Sequence, residues 1–396
     1  MNTATLYNEK KKTIGPKLRF QEFNNEWTKI KLGDLLTFKN GLNSDKEKYG
    51  KGIKFINVLD ILNNNFITYD KILGSVEVTE KEFEKNEVSY GDVLFQRSSE
   101  TRAEVGQANV YLDRDKSSVF GGFVIRGKAK YEYNPLFMNY LLRTPIARKE
   151  ITDKSGGSTR YNVGQDTLSQ VQLTTTTISE QKKIASFLSV VDEKIQQLSR
   201  KKELLEQYKK GVMQQLFSGK LRFKDENGED YPDWEEKKLG EVCESIKSGK
   251  SNSSEQGRFP LYGSTGIIGK CIEYSHEGLF ILIARVGANA GMINLIEDRF
   301  GVSDNTLVLN CNQSSYTDYL FHYLGYFNLN RLVFGSGQPL ITGSQLKSLK
   351  LNLPSFLEQQ KIANFLSSIH DKIESTNKQI TQTQTFKKGL LQQMFV

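Results

Sequence analysis

The sequence has little cysteine, histidine, proline and tryptophan, and it has no long apolar run. It contains 3 cysteines, 3 histidines, 7 prolines and 2 tryptophans among 396 residues. Cys243, Cys271 and Cys311 are far apart in the sequence, which excludes a disulfide scaffold and a C-x-x-C metal site and predicts reduced thiols. No stretch approaches the roughly 18–20 consecutive apolar residues of a membrane-spanning helix. The first residues also lack the apolar segment of a secretory signal, so we expect a cytoplasmic protein without membrane contact.

Motifs of catalysis are scarce as well. The three histidines lack H-E-x-x-H spacing, and the chain has no G-x-x-x-x-G-K-[ST] phosphate loop. Asn134-Pro135-Leu136-Phe137 departs at two of four positions from the Asn/Asp-Pro-Pro-Tyr loop of amino-methyltransferases. We therefore predict a protein with no catalytic residues and no metal site. A self-contained methyltransferase or nuclease is the alternative that these missing motifs disfavour.

Positive charge and aromatic residues are plentiful. Lysine and arginine total 54 against 46 aspartate and glutamate residues, which gives a net charge of +8. A positive field attracts polyanions, so nucleic acid is one interpretation and a merely solvated basic surface is the other. The 17 tyrosines and 23 phenylalanines supply enough apolar area to exclude a wholly disordered chain.

Two motifs occur twice in the same order. The segment Glu180–Ser189 returns as Glu358–Ser367, and Lys209–Phe217 returns as Lys387–Phe395 at the same offset without a gap. An entry motif opens each half: Leu18-Arg19-Phe20 with Trp27 and Lys31-Leu32-Gly33, then Leu221-Arg222-Phe223 with Trp234 and Lys238-Leu239-Gly240. The chain is therefore a tandem duplication of an entry motif, a variable block and a helical segment.

The repeated segments have the apolar spacing of long helices. Apolar residues recur at alternating steps of three and four, and neither segment contains proline, which predicts long helices that pair as a coiled coil. The repeat offset of 178 residues leaves enough chain between the helices for them to lie antiparallel. Two independent helices, each packed on its own domain, are the alternative. The apolar positions are Ile184, Leu188, Val191, Ile195, Leu198, Leu205, Val212 and Leu216, and then Ile362, Leu366, Ile369, Ile373, Ile380, Leu390 and Met394.

The blocks between these helices mix short strand-like runs with helical stretches, which indicates α+β domains. We predict two α+β domains joined by two long repeated helices, and the duplication gives this arrangement pseudo-twofold symmetry. The predicted segments are residues 1–177 for the first domain, 178–218 for the first spacer helix, 219–355 for the second domain and 356–396 for the second helix.

Polar, cationic loops occupy matching places in the two blocks. Arginine can bond guanine O6 and N7, and asparagine or glutamine can bond adenine N6 and N7, so these loops have the chemistry that DNA recognition requires. Taken singly, each loop is more typical of an ordinary polar turn. Three loop pairs at matching places in a basic, duplicated chain together favour DNA recognition. The predicted DNA-binding residues are Lys39, Asn40, Asn43, Arg97, Ser98, Arg102, Arg160 and Tyr161 in the first block, and Lys247, Lys250, Asn252, Arg285, Asn289, Gln338 and Thr342 in the second.

The repeated Glu-Gln-x-Lys-Ile-Ala segment, the Trp…Lys-Leu-Gly entry motif and the loop Arg285–Gly291 resemble the specificity subunit of type I restriction–modification enzymes. The resemblance covers essentially the full chain. It implies that each variable block is an α+β target recognition domain for one half of a split site in double-stranded DNA. It implies as well that the two long repeated helices form an antiparallel coiled coil. It also implies that the helices act as spacers and dock two modification (methyltransferase) subunits, which methylate adenine, together with restriction subunits where these exist. A coiled-coil scaffold without DNA contact is the remaining alternative.

The resemblance further implies that this chain binds no cofactor, because S-adenosylmethionine, ATP and Mg²⁺ belong to the partner subunits. It places contacts with those partners on the repeated helical motifs. The predicted partner-binding residues are Glu180, Gln181, Phe187 and Phe217 in the first copy, and Glu358, Gln359, Phe365 and Phe395 in the second.

Overall fold

The structure is a computed structural model that describes residues 15–334 and 339–396. The chain folds into two compact units. Unit 1 comprises Met1–Gln196 and Ile380–Val396, and unit 2 comprises Gln197–Gln379. The ends of the predicted segments 1–177, 178–218, 219–355 and 356–396 do not coincide with the ends of these units, and that four-part division stays a prediction. None of the helices in the described residues is long and apolar enough to cross a membrane.

Unit 1 has a mixed α+β fold whose strands are short. The strands are β1 (Thr28–Lys31), β2 (Leu36–Asn40), β3 (Tyr49–Ile56), β4 (Ser75–Val76), β5 (Val93–Gln96), β6 (Ser98–Ser99), β7 (Ala108–Val110), β8 (Val119–Phe120), β9 (Val124–Ala129), β10 (Tyr161–Asn162) and β11 (Gln172–Thr175). The helices are α1 (Leu32–Leu35), α2 (Val58–Asn63), α3 (Glu80–Asn86), α4 (Pro135–Leu142), α5 (Pro145–Asp153) and α6 (Gln165–Ser169). The long helix α7 (Ile178–Phe217) follows them.

The main sheet of unit 1 has the strand order β2-β9-β5-β7, and every neighbouring pair is antiparallel. Strand β5 is buried along its whole length, as its Val-Leu-Phe run predicts. The sequence pattern near residues 136–149 predicts a single helical stretch, and the structure has two helices there, α4 and α5. Each begins with a proline behind a capping side chain, since Asn134 Oδ1 accepts from Phe137 N and Thr144 Oγ1 accepts from Ala147 N.

Unit 2 is built on longer strands. These are β12 (Glu235–Lys238), β13 (Cys243–Ser248), β14 (Phe259–Gly263), β15 (Gly266–Cys271), β16 (His276–Ala284), β17 (Ile293–Val302), β18 (Thr306–Cys311) and β19 (Lys350–Leu353). The helices of this part of the chain are α8 (Thr317–Phe327), α9 (Gly343–Ser348) and the long α10 (Phe356–Gln393).

The main sheet of unit 2 has the order β13-β18-β16-β17-β14-β15. Its first three strands correspond to β2, β9 and β5 of unit 1, because the same central pairings recur in the same order. Cys243 lies directly opposite Cys311 between β13 and β18, a proximity that their distance in the sequence does not predict, and both thiols are free.

The entry motif closes each unit in the same way. Strand β1 pairs with β11, and β12 pairs with β19, both antiparallel. The residue after each of these first strands extends the pairing. Leu32 N donates to Val171 O, and Leu239 N donates to Leu349 O, both at 2.8 Å. The repeated Lys-Leu-Gly residues therefore lie where the first strand of each variable block pairs with its last strand.

The two long helices pair inside both units. In unit 1 the beginning of α7, at Leu188 and Val191, shares one apolar cluster with the end of α10, at Leu390 and Met394. In unit 2 the cluster contains Leu216 at the end of α7, together with Ile362 and Leu366 at the beginning of α10. The beginning of one helix packs against the end of the other in each unit, so the helices run antiparallel there, as the family resemblance implies.

The two units also bind their entry motifs alike. Leu221 N donates to Gln215 O at 3.1 Å in unit 2, just after the end of α7. The matching residue of unit 1, Leu18, donates at 2.9 Å to Gln393 O at the end of α10. The entry motif of unit 1 therefore bonds to the end of α10. The entry motif of unit 2 bonds in the same way to the end of α7, the helix that directly precedes it.

Candidate nucleic-acid interface

The three predicted loops of the first block meet in unit 1. Gly41 N donates to Val124 O at 3.2 Å, which holds the end of β2 beside the start of β9. Arg97 N donates to Phe123 O at 2.9 Å, and Val163 N donates to Arg97 O at 3.0 Å. The three loops border one open cleft of about 510 Å³, which is lined by Asn40, Arg97, Asn162, Val163, Gly164, Gln165 and Asp166.

The corresponding loops of unit 2 make the same backbone bonds. Gly249 N donates to Thr306 O at 3.1 Å, Arg285 N donates to Asn305 O at 2.9 Å, and Ile341 N donates to Arg285 O at 2.9 Å. Arg97 and Arg285 therefore occupy equivalent positions, each fixed through both of its backbone polar groups. We call this set of backbone bonds between loops and turns, which is centred on Arg97 in unit 1 and on Arg285 in unit 2, the recognition frame. The two units share the recognition frame and differ in the side chains around it.

Two glycines make the frame possible. A Cβ atom on Gly41 would lie 2.2 Å from Gly121 O, and one on Gly249 would lie 2.1 Å from Val302 O. Real Cβ atoms do not approach backbone oxygens so closely. Glycine is thus required where each cationic loop crosses the turn between two strands, which explains the Lys-Asn-Gly and Lys-Ser-Gly sequences.

The arginines of this frame keep donors for a ligand. Arg97 is exposed, and its Nη1 lies 3.3 Å from Gly122 O. Arg285 is half-buried, and within the described residues its Nε is buried without a hydrogen-bond partner. A guanidinium has five N–H donors in a planar fork that matches guanine O6 and N7 or a phosphate, so both arginines have the chemistry of a DNA contact.

Several predicted DNA-binding residues have other intramolecular contacts. Lys39 Nζ donates to Lys85 O, and burial together with the nearby Arg126 and Lys85 charges lowers the pKa of Lys39. Arg102 Nε donates to Thr152 O at 3.1 Å, and its guanidinium also lies 3.9 Å from the Asp153 carboxylate. These contacts direct Arg102 toward the end of α5.

Of the remaining predicted residues, four contact other residues of their own unit, one lies outside the described residues, and six are exposed or half-buried. Ser98 Oγ donates to Asn162 Oδ1 at 2.5 Å, and Tyr161 pairs with Ser99 between β10 and β6. Thr342 is the N-cap of α9, where its Oγ1 accepts from Gln345 N, and Arg160 lies 4.0 Å from Glu100. Gln338 lies outside the described residues. The side chains of Asn40, Asn43, Lys247, Lys250 and Asn252 are exposed and that of Asn289 is half-buried, and DNA contact by all of these residues stays a prediction.

The glutamates of the repeated motif point into their own units. Glu180 is 1% exposed, and its carboxylate accepts from Arg19 Nε at 2.7 Å and Nη2 at 2.8 Å. Glu358 is fully buried and accepts in the same way from Arg222. Burial raises the pKa of Glu180, but hydrogen bonds from Arg19 and Thr176 outweigh it, and the net pKa is lowered. These glutamates join the helices to the entry motifs.

The glutamines beside them hold a second helix. Gln181 Oε1 accepts from Asn134 N at 2.9 Å, and Gln359 Oε1 accepts from Tyr316 N at 2.8 Å. Asn134 and Tyr316 are the N-cap residues of α4 and α8. The Glu-Gln pair thus has the same intramolecular role in both units, and its predicted partner contact stays a prediction.

The predicted phenylalanines divide by exposure. Phe217 packs against Tyr319, Tyr323 and Tyr326, and Phe395 packs against Trp27 and Phe137, so both rings are buried in the chain itself. Phe187 is 37% exposed beside Phe20, and Phe365 is half-buried beside Phe223. Of the eight predicted partner-binding residues, Phe187 presents the most side-chain surface that a partner could cover.

The sequence analysis missed the turns that complete each frame, residues 121–123 and 303–305. Their backbone carbonyls receive the N–H groups of Arg97 and Arg285. The pair Gly121-Gly122 was the available signal in the first block, because adjacent glycines mark a close backbone approach.

Comparison with known proteins identifies the family. The model of the type I restriction modification DNA specificity domain matches residues 24–207 and again 231–384. A specificity subunit assigned to the type I restriction enzyme MjaX of Methanocaldococcus jannaschii is 26% identical, over 97% of this chain and 95% of that protein. The specificity subunit of the enzyme MjaIX from the same organism is 22% identical over 92% of each chain.

A solved structure agrees with these matches. The S subunit of a type I restriction–modification system from M. genitalium superposes with a TM-score of 0.65 at 20% identity, and the match covers 97% of this chain and 99% of that one. At that identity the likeness shows the fold. The family matches carry the functional conclusion, since they span both recognition blocks. The chain belongs to the type I restriction–modification DNA specificity domain family, as a non-catalytic specificity subunit with two DNA recognition domains.

Proposed function

We propose that each unit recognises one half of a split target in double-stranded DNA, and that the two long helices dock two modification subunits. The observation that supports this proposal is the equivalence of Arg97 and Arg285. Both arginines have the same backbone bonds, while the loops around them differ in sequence. A shared frame with different side chains is what two related sites need in order to recognise different bases.

The chemistry then belongs to the partners. The modification subunits would bind S-adenosylmethionine and methylate adenine, and restriction subunits, where present, would use ATP and Mg²⁺ to cleave DNA. This chain would supply the affinity for the target. Its lysines and arginines would add contacts to phosphates whose strength falls as salt rises. We place the assembled complex in the cytoplasm, where DNA, S-adenosylmethionine, ATP and Mg²⁺ are available.

The test combines this chain with its modification subunit and maps the methylated adenines on genomic DNA. We expect methylation at a two-part motif, and none from the chain by itself. The Arg97→Ala variant should lose discrimination in one half of the motif, and Arg285→Ala in the other. Arg114→Ala is a matched control, because Arg114 is engaged with Tyr90 outside the cleft.

Two results would contradict the proposal. One is methyl transfer by the purified chain without a partner. The other is loss of both halves of the motif in each single arginine variant, since independent recognition by the two units requires separable effects.

A further inference from the structure

The turn residues Phe123 and Asn305 are structural equivalents with side chains of different chemistry, one an aromatic ring and the other an amide. Phe123 O accepts from Arg97 N at 2.9 Å, and Asn305 O accepts from Arg285 N at the same distance. Each residue comes directly before the strand that lies second in its main sheet, β9 in unit 1 and β18 in unit 2. Each therefore lies next to the arginine of the recognition frame, on a turn that the backbone bonds hold in place.

Phe123 exposes an apolar ring to solvent. Its ring is 64% exposed, although burial of a phenylalanine side chain is favourable. A hollow of about 370 Å³ lies beside the ring, lined in part by Asn43, Tyr49, Leu59 and Gly122. Leu59 is itself 65% exposed. The edge of the unit 1 frame thus combines an exposed aromatic ring, an apolar hollow and the predicted DNA-binding residue Asn43.

Asn305 gives the same position a different chemistry. Its side chain is exposed, while its backbone oxygen accepts from Ser264 Oγ at 2.6 Å in addition to Arg285 N. The backbone is therefore fixed twice, and the amide projects from a rigid turn. An asparagine amide can bond adenine N6 and N7 together, whereas a phenylalanine ring can only make apolar contact.

We propose, on the basis of the function proposed above, that positions 123 and 305 determine base specificity: Phe123 packs on the 5-methyl group of a thymine, and Asn305 bonds the N6 and N7 edge of an adenine. The thymine methyl is the one large apolar group on the base edges of the major groove. An exposed ring next to a guanidinium gains nothing from a phosphate but does gain from that methyl group. Position 123 would thus distinguish base pairs beside the one that Arg97 contacts.

The test measures binding of DNA duplexes in which one base at a time lacks a single recognition group, either the thymine methyl or the adenine N7 acceptor. The full chain in complex with its modification subunits binds the methylation motif at fixed salt, and binding is followed by fluorescence anisotropy. Replacing each thymine of the first half-site by deoxyuridine removes one methyl group at a time. We expect one replacement to weaken binding about fourfold in the wild type, and the Phe123→Ala variant to be insensitive to it.

The second half-site has its own probe. Replacing adenine by 7-deazaadenine removes the N7 acceptor, and one such replacement should weaken wild-type binding about fivefold to tenfold. The Asn305→Ala variant should be insensitive to it. Each variant is the control of the other, because Phe123→Ala should keep the response to 7-deazaadenine and Asn305→Ala the response to deoxyuridine.

Tyr131→Ala is the matched control for loss of an exposed ring. Tyr131 is 69% exposed and lies beyond the opposite end of β9, so its variant should keep every response of the wild type. Thermal melting of all variants checks that they are folded. The proposal is overturned if no thymine responds to removal of its methyl group, or if Phe123→Ala retains the response. A wild-type complex that binds target and scrambled duplexes equally would instead refute the proposed function itself.

Discussion

Arg19 and Glu180 form a two-pronged ion pair inside unit 1, although 161 positions separate them in the sequence. Nε lies 2.7 Å from Oε1, and Nη2 lies 2.8 Å from Oε2. Arg222 and Glu358 repeat the arrangement in unit 2. The two motifs that the sequence repeats are thus bonded to each other, and the ion pair ties each long helix to the entry of its recognition block.

Removing one partner of this pair should destabilise unit 1. In the Arg19→Ala variant the carboxylate of Glu180 stays buried without its guanidinium, and we expect a loss of roughly 3 kcal/mol in the free energy of unfolding. Urea titration followed by circular dichroism measures it. The control is Glu22→Gln, which breaks the exposed pair of Glu22 with Lys183 and should change stability little. Equal effects of the two variants would contradict the structural role of the buried pair.

The same motif shows what the sequence could and could not predict. The duplication, the two long helices and the α+β blocks follow from the repeat and from periodicity, because a seam of apolar residues determines which face of a helix is buried. The repeat of Glu180 and Gln181 as Glu358 and Gln359 indicates only that the pair has one role twice. A contact inside each unit and a contact with a partner produce the same repeat, so the direction in which these side chains point was not predictable.

The recognition frame shows a second limit. The positions of Arg97 and Arg285 in matching loops were predicted from their place after a strand. Phe123 was missed, because a Phe-Val-Ile run has the composition of a buried strand whether its first residue is inside or outside. Only the backbone bond between Phe123 O and Arg97 N places this residue beside the arginine of the recognition frame.

Adding a methyl group to either frame glycine should disrupt recognition in one unit. Gly41→Ala and Gly249→Ala place a Cβ atom about 2 Å from a backbone oxygen, so the turn must move. We expect each variant to lose discrimination in its own half of the target. Methylation mapping of the assembled complex measures this effect.

A third glycine provides the comparison for these two variants. Gly211 lies in α7 with no atom within 4 Å of a new Cβ, and Gly211→Ala should stabilise the helix by roughly 0.5–1 kcal/mol and leave the target unchanged. If the frame variants behave like Gly211→Ala, the close crossing of loop and turn does not hold the recognition frame.

His322 should make unit 2 sensitive to acid. Burial, with the charges of Lys209 and His370 nearby, lowers the pKa of His322 to about 3, and its Nε2 lies 3.0 Å from Ser367 Oγ. The unfolded chain, with a histidine pKa of about 6.5, binds this proton more readily. The stability contribution is therefore complete above pH 6.5 and is lost as the pH falls toward 3.

The measurement compares urea unfolding of the wild type and the His322→Gln variant at pH 7.5 and pH 5. On lowering the pH, the wild type should lose about 2 kcal/mol more than the variant, because only the wild type has to keep this imidazole neutral. Other titrating groups are common to both proteins and cancel in the difference. An equal loss in the two proteins would show that His322 is protonated without cost in the folded unit.

Independent recognition by two units is the central claim, and exchange of one recognition block tests it most directly. Residues 28–177 are replaced by the matching block of another specificity subunit, the chimaera is assembled with the modification subunits, and the methylated adenines are mapped. If the two units recognise their half-sites independently, one half of the methylated motif is new and the other half is unchanged. A motif that changes in both halves, or in neither, would contradict independent recognition.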